Sequence, residues 1–179
     1  MPLGTGQIWR VGSRRAKYRA MGNPEFSRRI ELPDMRATEA LAARIAAGLR
    51  AGDAVALEGD LGAGKTALAR AILVALGVSE TVPSPTFTLV QHYETARLSV
   101  SHFDLYRIKT ESELDELGFD DALAGGAALI EWPERAPHRI PADALHVHLA
   151  ASGESTRRAM LSGPQRWSEI FVSEAAHVR

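Results

Sequence analysis

The segment Gly59-Asp60-Leu61-Gly62-Ala63-Gly64-Lys65-Thr66, GDLGAGKT, matches G-x4-G-K-[ST] in full. Each part of the pattern has a physical reason. Glycines let the backbone curl so that successive N–H groups point at phosphate oxygens. A helix beginning at the end of the loop adds its positive N-terminus. Lys65 can reach the β- and γ-phosphates, and the Thr66 hydroxyl can bind Mg²⁺. The flanks supply the context that this mechanism needs. DAVALEG, Asp53–Gly59, reads as a short buried strand, and the apolar stretch from Ala67 to Leu76 reads as a helix stopped at Gly77. A chance glycine turn would not demand such neighbours. Asp60, Leu61, Gly62, Ala63, Gly64, Lys65 and Thr66 are therefore the expected nucleotide-binding residues. Guanine-specific loops of this kind come with an Asn-Lys-x-Asp segment. The only asparagine here is Asn23, near the N-terminus, which leaves ATP as the nucleotide.

Upstream, Thr38 is placed to cap a helix running to about Arg50, with Leu41, Ile45 and Leu49 on one face and Gly52 as a stop. Downstream, Thr86–Tyr93 and Leu98–Leu105 read as two strands joined by a turn near Thr95–Arg97, an antiparallel hairpin. Glu111–Leu123 reads as an acidic helix or helix pair interrupted at Gly118. AALIE, Ala127–Glu131, is a further buried strand, and LHVHLAA with RRAMLSG forms a closing pair. Strands alternating with helices give an α/β domain. The expected fold is a P-loop NTPase-like three-layer sandwich whose mixed central sheet contains the hairpin. LSGPQR, Leu161–Arg166, resembles the signature of transporter ATPases. Only 13 residues follow it, and a turn at Gly163-Pro164 before a terminal helix explains it better.

With 179 residues, 45% hydrophobic and 24% charged, the chain suits one soluble domain with a real core. It has no cysteine, which excludes disulfides and thiolate metal sites, and no apolar run long enough to span a bilayer. A cytoplasmic protein is expected. The formal net charge of -1 is unevenly distributed: residues 1–29 hold seven basic residues and one acid, Glu25. These residues are expected to lie outside the ATPase domain, which would span 30–179. They would form a basic extension or reflect a start assigned too early, with Met21 as the candidate true start. A nucleic-acid arm and an Arg-rich transit peptide are the alternatives.

A P-loop site also needs carboxylates near Mg²⁺ and the attacking water. Asp104, in HFDLYR, ends the second hairpin strand, and Glu131, in IEWPER, ends the strand AALI. Acids at such strand ends project where ligands gather in open α/β sheets. The competing readings are a surface acid paired with Arg107 and a turn cap. Within SPTFT, Thr86 follows a stiff Ser84-Pro85 step and can serve as a γ-phosphate-sensing switch residue. It can equally be a β-branched residue opening a strand. His102 is expected to be structural and Trp132 a packing anchor.

GDLGAGKT, SPTFTLV, HFDLYR, ELGFDD and IEWPER, in this order, closely resemble the TsaE (YjeE) family, over roughly residues 30–150. That family is the small ATPase of bacterial tRNA threonylcarbamoyladenosine synthesis. LPDMRAT, Leu32–Thr38, is similar to its usual opening. The resemblance implies that Thr66 and Glu131 bind Mg²⁺, that Lys65, Asp104, Glu131 and Thr86 serve ATP hydrolysis, and that Ser84–Thr88 is a switch-like loop. It implies that a separate enzyme makes threonylcarbamoyl-adenylate. A two-protein transferase of the TsaD–TsaB type would modify adenosine 37 of ANN-decoding tRNAs, and the ATPase would reset that complex between turnovers, meeting tRNA only indirectly. Phe87, Met35 and Ala67 depart from the family's frequent tyrosine, acid and second threonine. A P-loop small-molecule kinase is the rival, with Arg135 and Arg139 as its candidate lid arginines. A module using ATP only as a switch is another. With no arginine finger evident in cis, weak basal turnover is expected.

Overall fold

Strand β2 (Ala54–Glu58) runs directly into the glycine loop, and the loop into helix α2 (Lys65–Ala75). All but the last residue of AVALE are fully buried, as suits a strand covered on both faces. The turn into α2 depends on glycine. Gly64, the cap residue, has φ +105, and Gly59 has φ +133, with the Leu149 carbonyl only 2.3 Å from where a Cβ would stand. The computed structural model describes residues 25–79, 82, 84–153 and 156–172.

The remaining elements are β1 (Phe26–Leu32), α1 (Met35–Gly48), β3 (Val90–Glu94), β4 (Ser99–Asp104), α3 (Glu113–Glu116), α4 (Phe119–Gly125), β5 (Gly126–Glu131), β6 (Leu145–Ala151), β7 (Arg157–Gly163) and α5 (Arg166–Val172). Among the described residues they form one seven-stranded sheet in the order β1-β7-β6-β2-β5-β4-β3. Strands β6, β2, β5 and β4 are parallel, and β3, β7 and β1 complete the sheet through antiparallel pairs. The sheet is mixed, as expected, and β3–β4 is the expected hairpin.

Alternation along the strands sorts two cores. On one face Val55, Leu57, Leu129 and Val147 pack with Leu41 and Ile45 of α1, Leu68 and Ile72 of α2, and Trp167 and Phe171 of α5. On the other, Ala56, Phe103 and Ile130 pack with Leu114 and Phe119 of the acidic helix pair. Phe103 and Phe119 meet edge-on at 5.1 Å, a geometry worth about 0.5–1.5 kcal/mol beyond buried area. Helix–sheet–helix is the three-layer arrangement. Gly118, at φ +67, separates α3 from α4, where the sequence suggests an interruption. No helix of the described residues is long and apolar enough to cross a membrane.

Three boundaries differ from expectation. Helix α1 begins at Met35, and its cap is Asp34, whose carboxylate accepts from the Ala37 N–H at 2.8 Å; Thr38 lies inside the helix. Asp34→Ala is expected to cost about 1 kcal/mol in urea unfolding, while Thr38→Ala changes stability little. Strand β3 begins at Val90 rather than Thr86. The Leu89 N–H bonds the Pro85 carbonyl at 2.6 Å and Leu89 sits at φ +65, so Pro85–Leu89 is a turn despite its β-branched residues. Finally, Phe26–Arg29 fall within the stretch expected to lie outside the domain, yet they belong to β1, paired with β7 at the sheet edge. Residues 1–24, including Met21, lie outside the described residues.

Candidate functional site

Strand register sets the acids. Asp104 and Glu131 are direct partners across the parallel pair β4–β5, and Glu131 is also the partner of Leu57 on β2. Side chains opposite one another on parallel strands share a face, so both carboxylates project on the side covered by α2. Residue Glu131 is 2% exposed and Asp104 4%. The Thr66 hydroxyl, in the first turn of α2, donates to Glu131 Oε2 at 2.8 Å. Asp104 Oδ2 accepts from the Thr86 hydroxyl at 2.9 Å, and Thr86 Oγ1 is 2.7 Å from Ser84 Oγ. Its other oxygen, Oδ1, accepts from the Tyr106 N–H at 3.0 Å, capping the turn Leu105–Arg107. The two acids therefore stand side by side with different partners, Glu131 on the P-loop threonine and Asp104 on the Ser84–Leu89 loop.

Lys65 is folded back. Its ammonium donates to the carbonyls of Gly59 at 2.7 Å and Asp60 at 2.9 Å, and lies 3.6 Å from the centre of the Trp132 ring. Burial pushes its pKa below the usual lysine value, while Glu131, Glu134, Asp104 and Asp60 pull the other way. Trp132 is more than a packing anchor. It follows β5 at φ +59, which turns its ring over the loop, and it touches Tyr106 at 4.9 Å between centroids.

These groups line one cleft of about 310 Å³, walled by Lys65, Thr66, Thr86, Asp104, Glu131 and Trp132. Leu61, Gly62 and Gly64 contribute the P-loop side, and the Ala63 N–H turns inward to the Asp60 carbonyl at 3.1 Å. Leu61 itself is 84% exposed at the mouth. The structure thus brings Lys65, Thr66, Thr86, Asp104 and Glu131 together. Asp104 is not paired with Arg107, whose guanidinium instead stacks on Phe87 at 4.7 Å. The sequence reading took His102 as structural and did not foresee its contact with Glu131. His102 is fully buried, and its Nε2 is 2.8 Å from Glu131 Oε1. A signal was available: His102 and Asp104 are two apart on β4 and so share a face.

Residues 32–160 match the family model for threonylcarbamoyl adenosine biosynthesis protein TsaE. A tRNA threonylcarbamoyladenosine biosynthesis protein TsaE from Rickettsia felis is 42% identical over 121 residues, covering 67% of this chain and 71% of that protein. The Bacillus subtilis protein of the same name is 38% identical over 138 residues, covering 76% of this chain and 86% of its own length. Among solved structures, that of Bacillus subtilis YdiB superposes with a TM-score of 0.70 at 27% identity, over 85% of this chain and 96% of that one. Together with a P-loop whose threonine meets the acid of IEWPER, this match over most of the chain is decisive: the chain belongs to the TsaE family of tRNA threonylcarbamoyladenosine biosynthesis proteins.

Proposed function

We propose that this chain binds and hydrolyses ATP with Mg²⁺ to sustain threonylcarbamoylation of adenosine 37 in ANN-decoding tRNAs. The observation that carries the reading is the Thr66–Glu131 contact at the mouth of a complete P-loop, with Asp104 beside it. A hydroxyl and a carboxylate are the oxygen donors that Mg²⁺ prefers. Among the described residues no cluster of three His, Cys, Asp or Glu side chains is suited to a metal ion. In nucleotide sites of this kind Mg²⁺ is held by one or two protein oxygens plus the nucleotide phosphates. Thr66 and Glu131 would hold Mg²⁺, which would neutralise charge on the phosphates.

The other side chains divide the remaining work. Lys65 exchanges the Gly59 and Asp60 carbonyls for phosphate oxygens. Asp104 orients the attacking water and accepts its proton, and Thr86 transmits its state to the Ser84–Leu89 loop. A recess of about 150 Å³ opens beside Gly64 and Ala67, walled by Leu32, Asp34, Met35, Thr38 and Arg157. It supports seating of the adenine there. The partner on this reading is a two-protein transferase of the TsaD–TsaB type, reset by each hydrolytic cycle. A kinase lid is poorly supported: Arg139 is tied to Asp115 at 2.7 Å and Asp120 at 3.0 Å, and Arg135 stacks on Tyr106.

Complementation tests the whole proposal. Cells depleted of their own TsaE-like protein and supplied with this chain are expected to recover threonylcarbamoyladenosine, measured by mass spectrometry of digested tRNA. No recovery from a chain that is expressed and soluble would refute it.

A further inference from the structure

We infer that His102 is a positioning residue that fixes the rotamer of Glu131 and so sets the affinity of the site for Mg²⁺. The inference rests on the reading of Thr66 and Glu131 as the metal-binding pair.

Glu131 has two oxygens with two different partners. Oε2 takes the Thr66 hydroxyl and Oε1 takes His102 Nε2, both at 2.8 Å. Facing an ionised carboxylate at 2.8 Å, His102 Nε2 is placed to act as the donor. His102 Nδ1 is buried and has no hydrogen-bond partner among the described residues. An N–H there would be a buried donor without a partner. Among the described residues the ring's one hydrogen-bond partner is therefore Glu131. His102 lies on β4, fully enclosed, one turn of the pleat before Asp104. A carboxylate held from behind by a rigid imidazole presents its second oxygen in a fixed direction toward α2. Without that hold the carboxylate is free to rotate, and part of its rotamer population points away from Thr66. Groups that orient a metal-binding side chain typically change metal affinity about 10- to 100-fold when removed.

The experiment is a Mg²⁺ titration of the full chain with a non-hydrolysable ATP analogue, followed by calorimetry. The wild type, His102→Leu and His102→Gln are compared. Leucine fills much of the ring's volume without a donor; the glutamine amide can return an N–H near the Nε2 position. His102→Leu is expected to need about 10- to 100-fold more Mg²⁺ for half-maximal tightening, with analogue affinity in chelator unchanged. His102→Gln is expected to recover most of the loss. If Mg²⁺ tightens binding in the wild type and His102→Leu titrates alike, the inference fails while the metal-site reading stands. If Mg²⁺ does not tighten binding even in the wild type, that reading fails. Should His102→Leu not fold, the wild type still decides. Long-range proton–nitrogen spectra, assigned by the signal lost in His102→Gln, are expected to show His102 protonated on Nε2 and shifting when Mg²⁺ joins the analogue. Protonation on Nδ1 alone, or no shift, overturns the inference.

Discussion

Lys65→Ala is expected to weaken ATP binding by roughly 30-fold to several thousand-fold, the effect of removing one partner from a buried charge-assisted contact worth about 2–5 kcal/mol. The structure sharpens this expectation into two opposite effects. Lys65 is an ammonium that is 4% exposed, and burial lowers its pKa. Two carbonyls and the Trp132 ring satisfy it, but among the described residues no carboxylate bonds it directly. Lys65→Met keeps the length and the apolar contact with Trp132 while removing the buried charge. Its melting temperature is therefore expected to equal or exceed that of the wild type, although its ATP affinity falls with that of Lys65→Ala. Calorimetry and thermal unfolding on the same samples check both halves. Unchanged affinity in Lys65→Met would remove the P-loop from the mechanism. A large loss of stability would mean that the ammonium holds the loop together through the Gly59 and Asp60 carbonyls.

Asp104→Asn separates binding from turnover. The amide keeps nearly the same shape and can still accept the Tyr106 N–H, so the turn Leu105–Arg107 should survive. What it loses is basicity toward a water in the cleft; the Thr86 hydroxyl, which donates to the carboxylate, would turn to accept from the amide instead. Loss of a positioned base lowers turnover typically by 10²–10⁴-fold, with ATP affinity within a few-fold of wild type. Phosphate release in the presence of the transferase partner measures the first, calorimetry the second. The same variant, or Asp104→Ala, decides between hydrolysis and a pure switch. If ATP acts only by being bound, tRNA modification survives the substitution. If hydrolysis resets the partner, modification fails with it.

Much of this site was legible because its pieces lie at strand ends with strong local signals. Gly59–Thr66 declares itself through glycine spacing, and Glu131 through an apolar run that stops at an acid. Other features hid for identifiable reasons. FSRRIEL alternates, but Arg28 stands at an inward position between Phe26 and Ile30 and breaks the apolar pattern. In the fold its guanidinium reaches the Phe171 carbonyl at the end of α5, a partner 143 residues away that no local window contains. Thr86–Leu89 carried strand propensity, yet the bond back to Pro85 closed a turn instead, because tertiary context outweighs intrinsic preference at such positions. His102 was obscured by the usual identity of a polar residue within a strand. Its role became visible only when register placed it one pleat from Asp104 and against the neighbouring strand's acid.

That register has a consequence for how the protein can change. Strand pairing is discrete: a slip of β4 or of β5 by one residue would turn Asp104 or Glu131 to the opposite face, among Phe103 and Ile130. No small step lies between the present pairing and one that sends either carboxylate into an apolar layer. The separation of the two acids is thus quantised by backbone pairing and insulated from drift in the surrounding loops. The Ser84–Leu89 turn, Leu61 at the rim and the Trp132–Arg135 segment can be rebuilt to suit a different partner while the carboxylates keep their spacing. Specificity can wander in such a molecule, and the chemistry has no gradual path by which to follow it.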